Sequence, residues 1–174
     1  MSKPTILTAL IATTFAFFVT IATASEPTIP ATPVAKAPVP HCQVPCGIYG
    51  DQLRFEGMLE DTKTTAKAIS QIGELATAAP SATGMNQAVR WVNNKESHAQ
   101  NIQDVMGEYF FAQRIKSDHK DYTAQLATAH KVIVAAMKCK QDAAPATADA
   151  LKAAIEDFYR AYEGKEPQSH EEGK

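Results

Sequence analysis

Beyond Tyr49, apolar residues recur every three or four positions, and no stretch alternates apolar and polar residues as a half-buried strand does. Leu53, Met58, Leu59, Ile69, Ile72 and Leu75 mark a first helix, ended by Pro80 and the turn from Ser81 to Gly84. Met85, Val89, Val92, Ile102, Val105, Met106 and Tyr109 mark a long second one. A third follows Ser117 and Asp118, which can cap it, and carries Tyr122, Leu126, Val132, Ile133 and Met137. The fourth carries Leu151, Ile155, Phe158 and Tyr162 and starts near Pro145, where proline suits a first turn. Four amphipathic helices with short connections predict an all-α fold, an antiparallel up-down four-helix bundle over residues 50–164. A polar tail occupies 165–174.

Upstream the pattern changes. After Lys3 the run from Ile6 to Ile21 is apolar and uncharged, matching a signal-peptide core in length and falling short of a comfortable membrane span. Ala22-Thr23-Ala24 fits the small-x-small pattern of a signal peptidase site. Residues 1–24 therefore read as a signal peptide, with export to a periplasmic or extracellular space and no stable membrane association after processing. The alternatives are a retained anchor, or a cytoplasmic protein in which this segment is only a propeptide. Residues 25–40, SEPTIPATPVAKAPVP, hold five prolines in sixteen positions, a composition that resists helix and keeps the chain extended. This is either a tether or a propeptide ending at Pro40. The formal charge of −2 gives no reason to expect a basic face, which argues against a nucleic-acid partner. The part after Pro40 is large enough to bury a core without disulfide staples.

The chemistry is concentrated in His41 to Tyr49, HCQVPCGIY, which places one histidine and two of the three cysteines within six residues. A C-x₃-C pair is half of a structural zinc site, and no second half follows at finger spacing. In an exported protein two nearby cysteines commonly form a disulfide. If a protease cuts after Pro40, however, the hook offers the new α-amine of His41, the backbone nitrogen of Cys42, the thiolates of Cys42 and Cys46, and the His41 imidazole. Amine, amide and first thiolate sit on neighbouring atoms and can share a plane. Cys46 closes that plane through a loop restricted by Pro45 and turned at Gly47, leaving the imidazole to approach along the axis. Square-planar nitrogen and sulfur suit nickel or copper, and so anionic a donor set favours the higher oxidation state and one-electron chemistry. Cys139, between lysines near the end of the third helix, reads as a partly buried or surface thiol with no special role.

The pattern H-C-x-x-P-C-G-x-Y, with all six fixed residues present, resembles the nickel hook of nickel-containing superoxide dismutases. The resemblance implies a four-helix bundle made as a precursor cut before His41, assembled as a homohexamer with one nickel ion per subunit. It implies conversion of superoxide to oxygen and hydrogen peroxide by nickel cycling between divalent and trivalent states. It assigns nickel to His41, Cys42 and Cys46, places Tyr49 over the open face of the metal, and gives Tyr109 the role of a second tyrosine supporting the first. Glu56 matches a glutamate that orients the axial imidazole, and Arg90 lies in AVRWVNNKE, which is similar to the family's second helix. Two residues depart from the pattern: Gln43 stands where the family has aspartate, and His98 where it has an arginine behind the axial histidine. The reading from a different class is a non-enzymatic exported bundle whose Cys42–Cys46 disulfide makes it a tethered binding module.

Overall fold

The computed structural model describes residues 50–167. The signal-like segment, the proline-rich tract, the hook with His41, Cys42, Cys46 and Tyr49, and the tail from residue 168 on lie outside the described residues. Four long helices run up and down: α1 Asp51–Thr77, α2 Ala82–Asp104, α3 Tyr122–Gln141 and α4 Pro145–Glu163. A π-helical stretch, Val105–Arg114, continues α2. No strand occurs among the described residues, and the expected all-α bundle is what forms.

Local chemistry explains most of the boundaries. α1 stops at Thr77 ahead of Pro80, and Ser81 caps α2 by accepting the Gly84 N–H at 3.0 Å. Pro145 opens α4 as expected, and α4 ends at Gly164, whose φ of 69° is a left-handed conformation that a side chain would strain. The start of α3 differs from expectation. It begins at Tyr122, and Ser117 and Asp118 precede a further turn in which His119 Nδ1 accepts the Asp121 N–H at 3.2 Å. With that short turn formed first, neither expected cap stands next to the helix.

The core is densest at the end where α1 begins. Phe55, Phe110 and Phe158 meet with ring centroids 4.9 to 5.3 Å apart, tilted or edge-on, and Tyr159 packs edge-on against Phe55 at 4.9 Å. Met58, Ile102, Met106, Val132, Leu151 and Ile155 extend this core along the bundle. Five of the apolar positions that define the helical periods are nevertheless exposed: Leu53, Met85, Val89, Val92 and Met137. Cys139 departs the other way, since it is wholly buried, and burial raises its thiol pKa.

One buried polar residue ties α2 to α3. Lys95, 4 % exposed, donates from Nζ to the Cys139 and Lys140 carbonyls at 2.7 and 2.6 Å and pairs with Glu96 at 2.9 Å. Those carbonyls belong to the last turn of α3, which has no intrahelical donors for them, so a cation there satisfies both hydrogen bonding and the helix dipole. Lys95→Met keeps the apolar stem and removes the cap. It should lower unfolding free energy by about 2 kcal/mol in urea titration, with faster amide exchange confined to the last turn of α3.

Candidate metal centre and its support

Among the described residues, no group of three or more His, Cys, Asp or Glu side chains is placed to hold a metal ion. The bundle's contribution is read from the point where the hook ends. Gly50, extended at φ −62° and ψ 156°, leads into α1 and accepts the Leu53 N–H with its carbonyl at 3.2 Å. Asp51 follows in the first turn, where the exposed amides favour a carboxylate.

Asp51 is held from two other elements. Tyr109 donates its hydroxyl to Oδ1 at 2.5 Å, while Arg114 Nη2 and the Tyr162 hydroxyl donate to Oδ2 at 2.6 and 2.8 Å. The π-helical stretch is what allows both Tyr109 and Arg114 to reach it. Residues five apart on an α-helix point about 140° away from each other, whereas i→i+5 bonding brings them onto the same side of the helix. The Gln113 side chain reaches the Glu108 carbonyl at 2.8 Å within the same stretch. Arg114 accordingly lies over the Tyr109 ring at 5.9 Å, and Arg54 approaches the same ring at 5.4 Å.

The charges in this cluster are mutually fixed. Burial alone would push the Asp51 pKa up, but the bonds from Arg114, Tyr109 and Tyr162 outweigh it and hold the carboxyl below the usual carboxylate range. Burial and then the bond to Asp51 raise Tyr109 and Tyr162 each to about 12. Both phenols therefore remain protonated donors at neutral pH. Beside the cluster, Arg114, Lys116, His119, Gln125, Tyr162 and Glu163 line a surface cavity of about 220 Å³.

The other expected site residues are dispersed. Glu56 lies about 140° around α1 from Asp51 and accepts the Gln52 amide at 3.0 Å, and Gln52 in turn accepts the Tyr159 hydroxyl at 2.8 Å. Glu56 thus faces the α4 side, whereas Tyr109 reaches Asp51 from the π-helical stretch. His98 meets Asp61 at 2.6 Å between α1 and α2, on a turn of α1 beyond Glu56, and Asp61 also accepts from Asn101 at 2.6 Å. Arg90 is exposed on the early part of α2. His41, Cys42, Cys46 and Tyr49 have no described position.

The family model described as nickel-containing superoxide dismutase matches residues 34–166. The chain belongs to that family. No curated protein and no solved structure matches significantly. The family makes this chain an oxidoreductase whose substrate is superoxide and whose cofactor is nickel, and it sets aside the non-enzymatic disulfide module. The hook's thiolate and nitrogen donors fit a nickel ion by softness, and the match spans all of them.

Sequence reasoning missed Asp51, Arg114 and Tyr162 as parts of the support. Tyr162 was counted among the apolar core positions, and Asp51 carried a weak signal as the first acidic residue after the hook. The network predicts a pH profile for folding. Because folding raises both tyrosines above their ordinary 10.0, their contribution is complete below pH 10.0 and is lost as pH rises to about 12. Asp51, lowered by folding, contributes fully above its ordinary 3.8 and loses its part as pH falls below it. Tyrosinate absorbance should show two phenols titrating near the upper value. In Asp51→Asn both should return toward 10.0, with a stability loss of about 2 kcal/mol in urea.

Proposed function

We propose that the enzyme becomes active when a protease cuts after Pro40 and frees the α-amine of His41. The donors are then that amine and the His41 imidazole, the Cys42 backbone nitrogen and thiolate, and the Cys46 thiolate. Bound there, nickel supplies one-electron chemistry between its divalent and trivalent states, by which two superoxide ions and two protons give oxygen and hydrogen peroxide. The family match, which runs from before the hook through the bundle, is the observation that carries this reading.

The chain's own residues do three further things in this proposal. Tyr49 stands at the approach to the metal and limits what enters to small species, which shields the thiolates from peroxide. Tyr109 acts through Asp51 rather than as an acid, because its proton is retained up to about 12 and its hydroxyl is committed to that carboxylate. It keeps the root of the hook in place. Arg54, Arg114 and Lys116 give the approach a cationic component, which raises the local concentration of an anionic substrate. Glu56, four residues beyond Gln52 and bonded to it, orients the imidazole in this reading, as the family resemblance implies.

Residues 1–24, by their signal-like apolar run, direct export and residues 25–40 are removed with them; the mature chains assemble as a hexamer, as the family resemblance implies. Cys42→Ser and Cys46→Ser should each lose nickel and dismutase activity while helix content is unchanged. A nickel-replete, active serine variant would remove the hook from the reading. Tyr49→Phe should keep nickel, measured by elemental analysis, and alter turnover or inhibition by small anions.

A further inference from the structure

The surface cavity beside the Asp51 cluster is walled by groups that the bundle itself hardly uses. Arg114, Lys116, His119, Gln125, Tyr162 and Glu163 enclose about 220 Å³, many times the space that one water molecule needs. They come from the end of the π-helical stretch, the link to α3, the start of α3 and the last turn of α4.

The donors on this wall have capacity to spare. Lys116 is exposed and pairs with no carboxylate among the described residues. Arg114 places Nη2 on Asp51 and has further N–H groups to give, and its Nε has no hydrogen-bond partner among the described residues. His119 accepts the Asp121 N–H at Nδ1, so Nε2 carries the ring proton and is a donor. Gln125 is 3 % exposed, yet its amide has one contact among the described residues, to His119 Nδ1, and that contact is long at 3.4 Å. α3 begins here without a side-chain cap and with no acidic residue in its first turn, which leaves the positive end of its dipole open. The negative charges nearby are each matched by a cation: Asp51 by Arg114, Asp121 by Lys120 at 3.8 Å, and Glu163 by Lys165 at 3.5 Å.

We propose that this cavity binds a small polyatomic oxyanion with the size and charge of inorganic phosphate or sulfate. A tetrahedral oxyanion presents acceptors in several directions, which donors arriving from several elements can satisfy together, and the planar fork of Arg114 suits two of its oxygens. A diatomic anion such as superoxide has too few acceptors to use them all. The site is therefore separate from the proposed hook, and its occupation needs neither nickel nor the cut after Pro40. Arg114 links it to Asp51, so a bound oxyanion and the cluster at the root of α1 share one guanidinium.

The test is isothermal titration calorimetry of the mature, nickel-loaded protein with inorganic phosphate, at an ionic strength held constant with chloride. Saturable binding is expected, together with a rise in thermal stability that chloride alone does not give. Lys116→Ala and Gln125→Leu should each weaken phosphate binding about tenfold, through loss of one hydrogen bond to a charged group, with helix content unchanged. Cys42→Ser removes a proposed metal donor and leaves the cavity intact, so it should bind phosphate as the parent does. A simple phosphate monoester run in parallel separates free phosphate from a larger phosphorylated ligand, since only the latter favours the ester, and either order supports the site. Equal effects of phosphate and chloride overturn the proposal, as does phosphate binding that neither cavity substitution weakens. Binding that vanishes in Cys42→Ser would place the anion at the hook and overturn it as well.

Discussion

The carboxylate of Asp51 is the point on which the functional end of the molecule depends. It lies in the first turn of α1, immediately after the proposed hook, and binds Tyr109, Arg114 and Tyr162 from two other elements. Any one such bond contributes modestly, but three donors on one partly buried carboxylate fix its position and charge together. A nine-residue segment can hold a metal in one geometry only if its root does not swing. The bundle supplies that root, and the aromatic cluster of Phe55, Phe110 and Phe158 directly beneath keeps the elements around it from separating.

The backbone irregularity after α2 belongs to the same arrangement. An α-helix through Val105–Arg114 would place Tyr109 and Arg114 on different faces, and only one of them could meet Asp51. The π-helical register costs hydrogen-bond quality, and here that cost is offset by a carboxylate gaining two donors from one segment. Phe110 also enters the core next to Tyr109, so two adjacent large rings are buried side by side, 5.2 Å apart and edge-on. A regular amphipathic repeat does not ordinarily do this.

These details explain what could and could not be read from the sequence. Helix number, order and approximate limits follow from periodicity, Pro80 and Pro145, and the crowding of His41, Cys42 and Cys46 is what makes them the proposed metal donors. The support around Asp51 does not, because its members are spread over more than a hundred positions and one of them, Tyr162, has the spacing of an ordinary core residue. Glu56 and Tyr109 could be matched by resemblance, but that Glu56 turns toward Gln52 and the α4 side while Tyr109 meets Asp51 from the π-helical stretch depends on which neighbour each side chain meets. Met85, Val89 and Val92 have the periodicity of a core. Periodicity reports which face of a helix is apolar and carries no information on how far the covering helices extend.

Lys95 divides the chain by how its apolar surface is covered. Below it, helices of one chain cover each other and converge on the first turn of α1. Above it, Met85, Val89 and Val92 are exposed among the described residues. The two ends of α1 are about 40 Å apart, well beyond a Debye length at physiological salt, and no charged network joins them among the described residues.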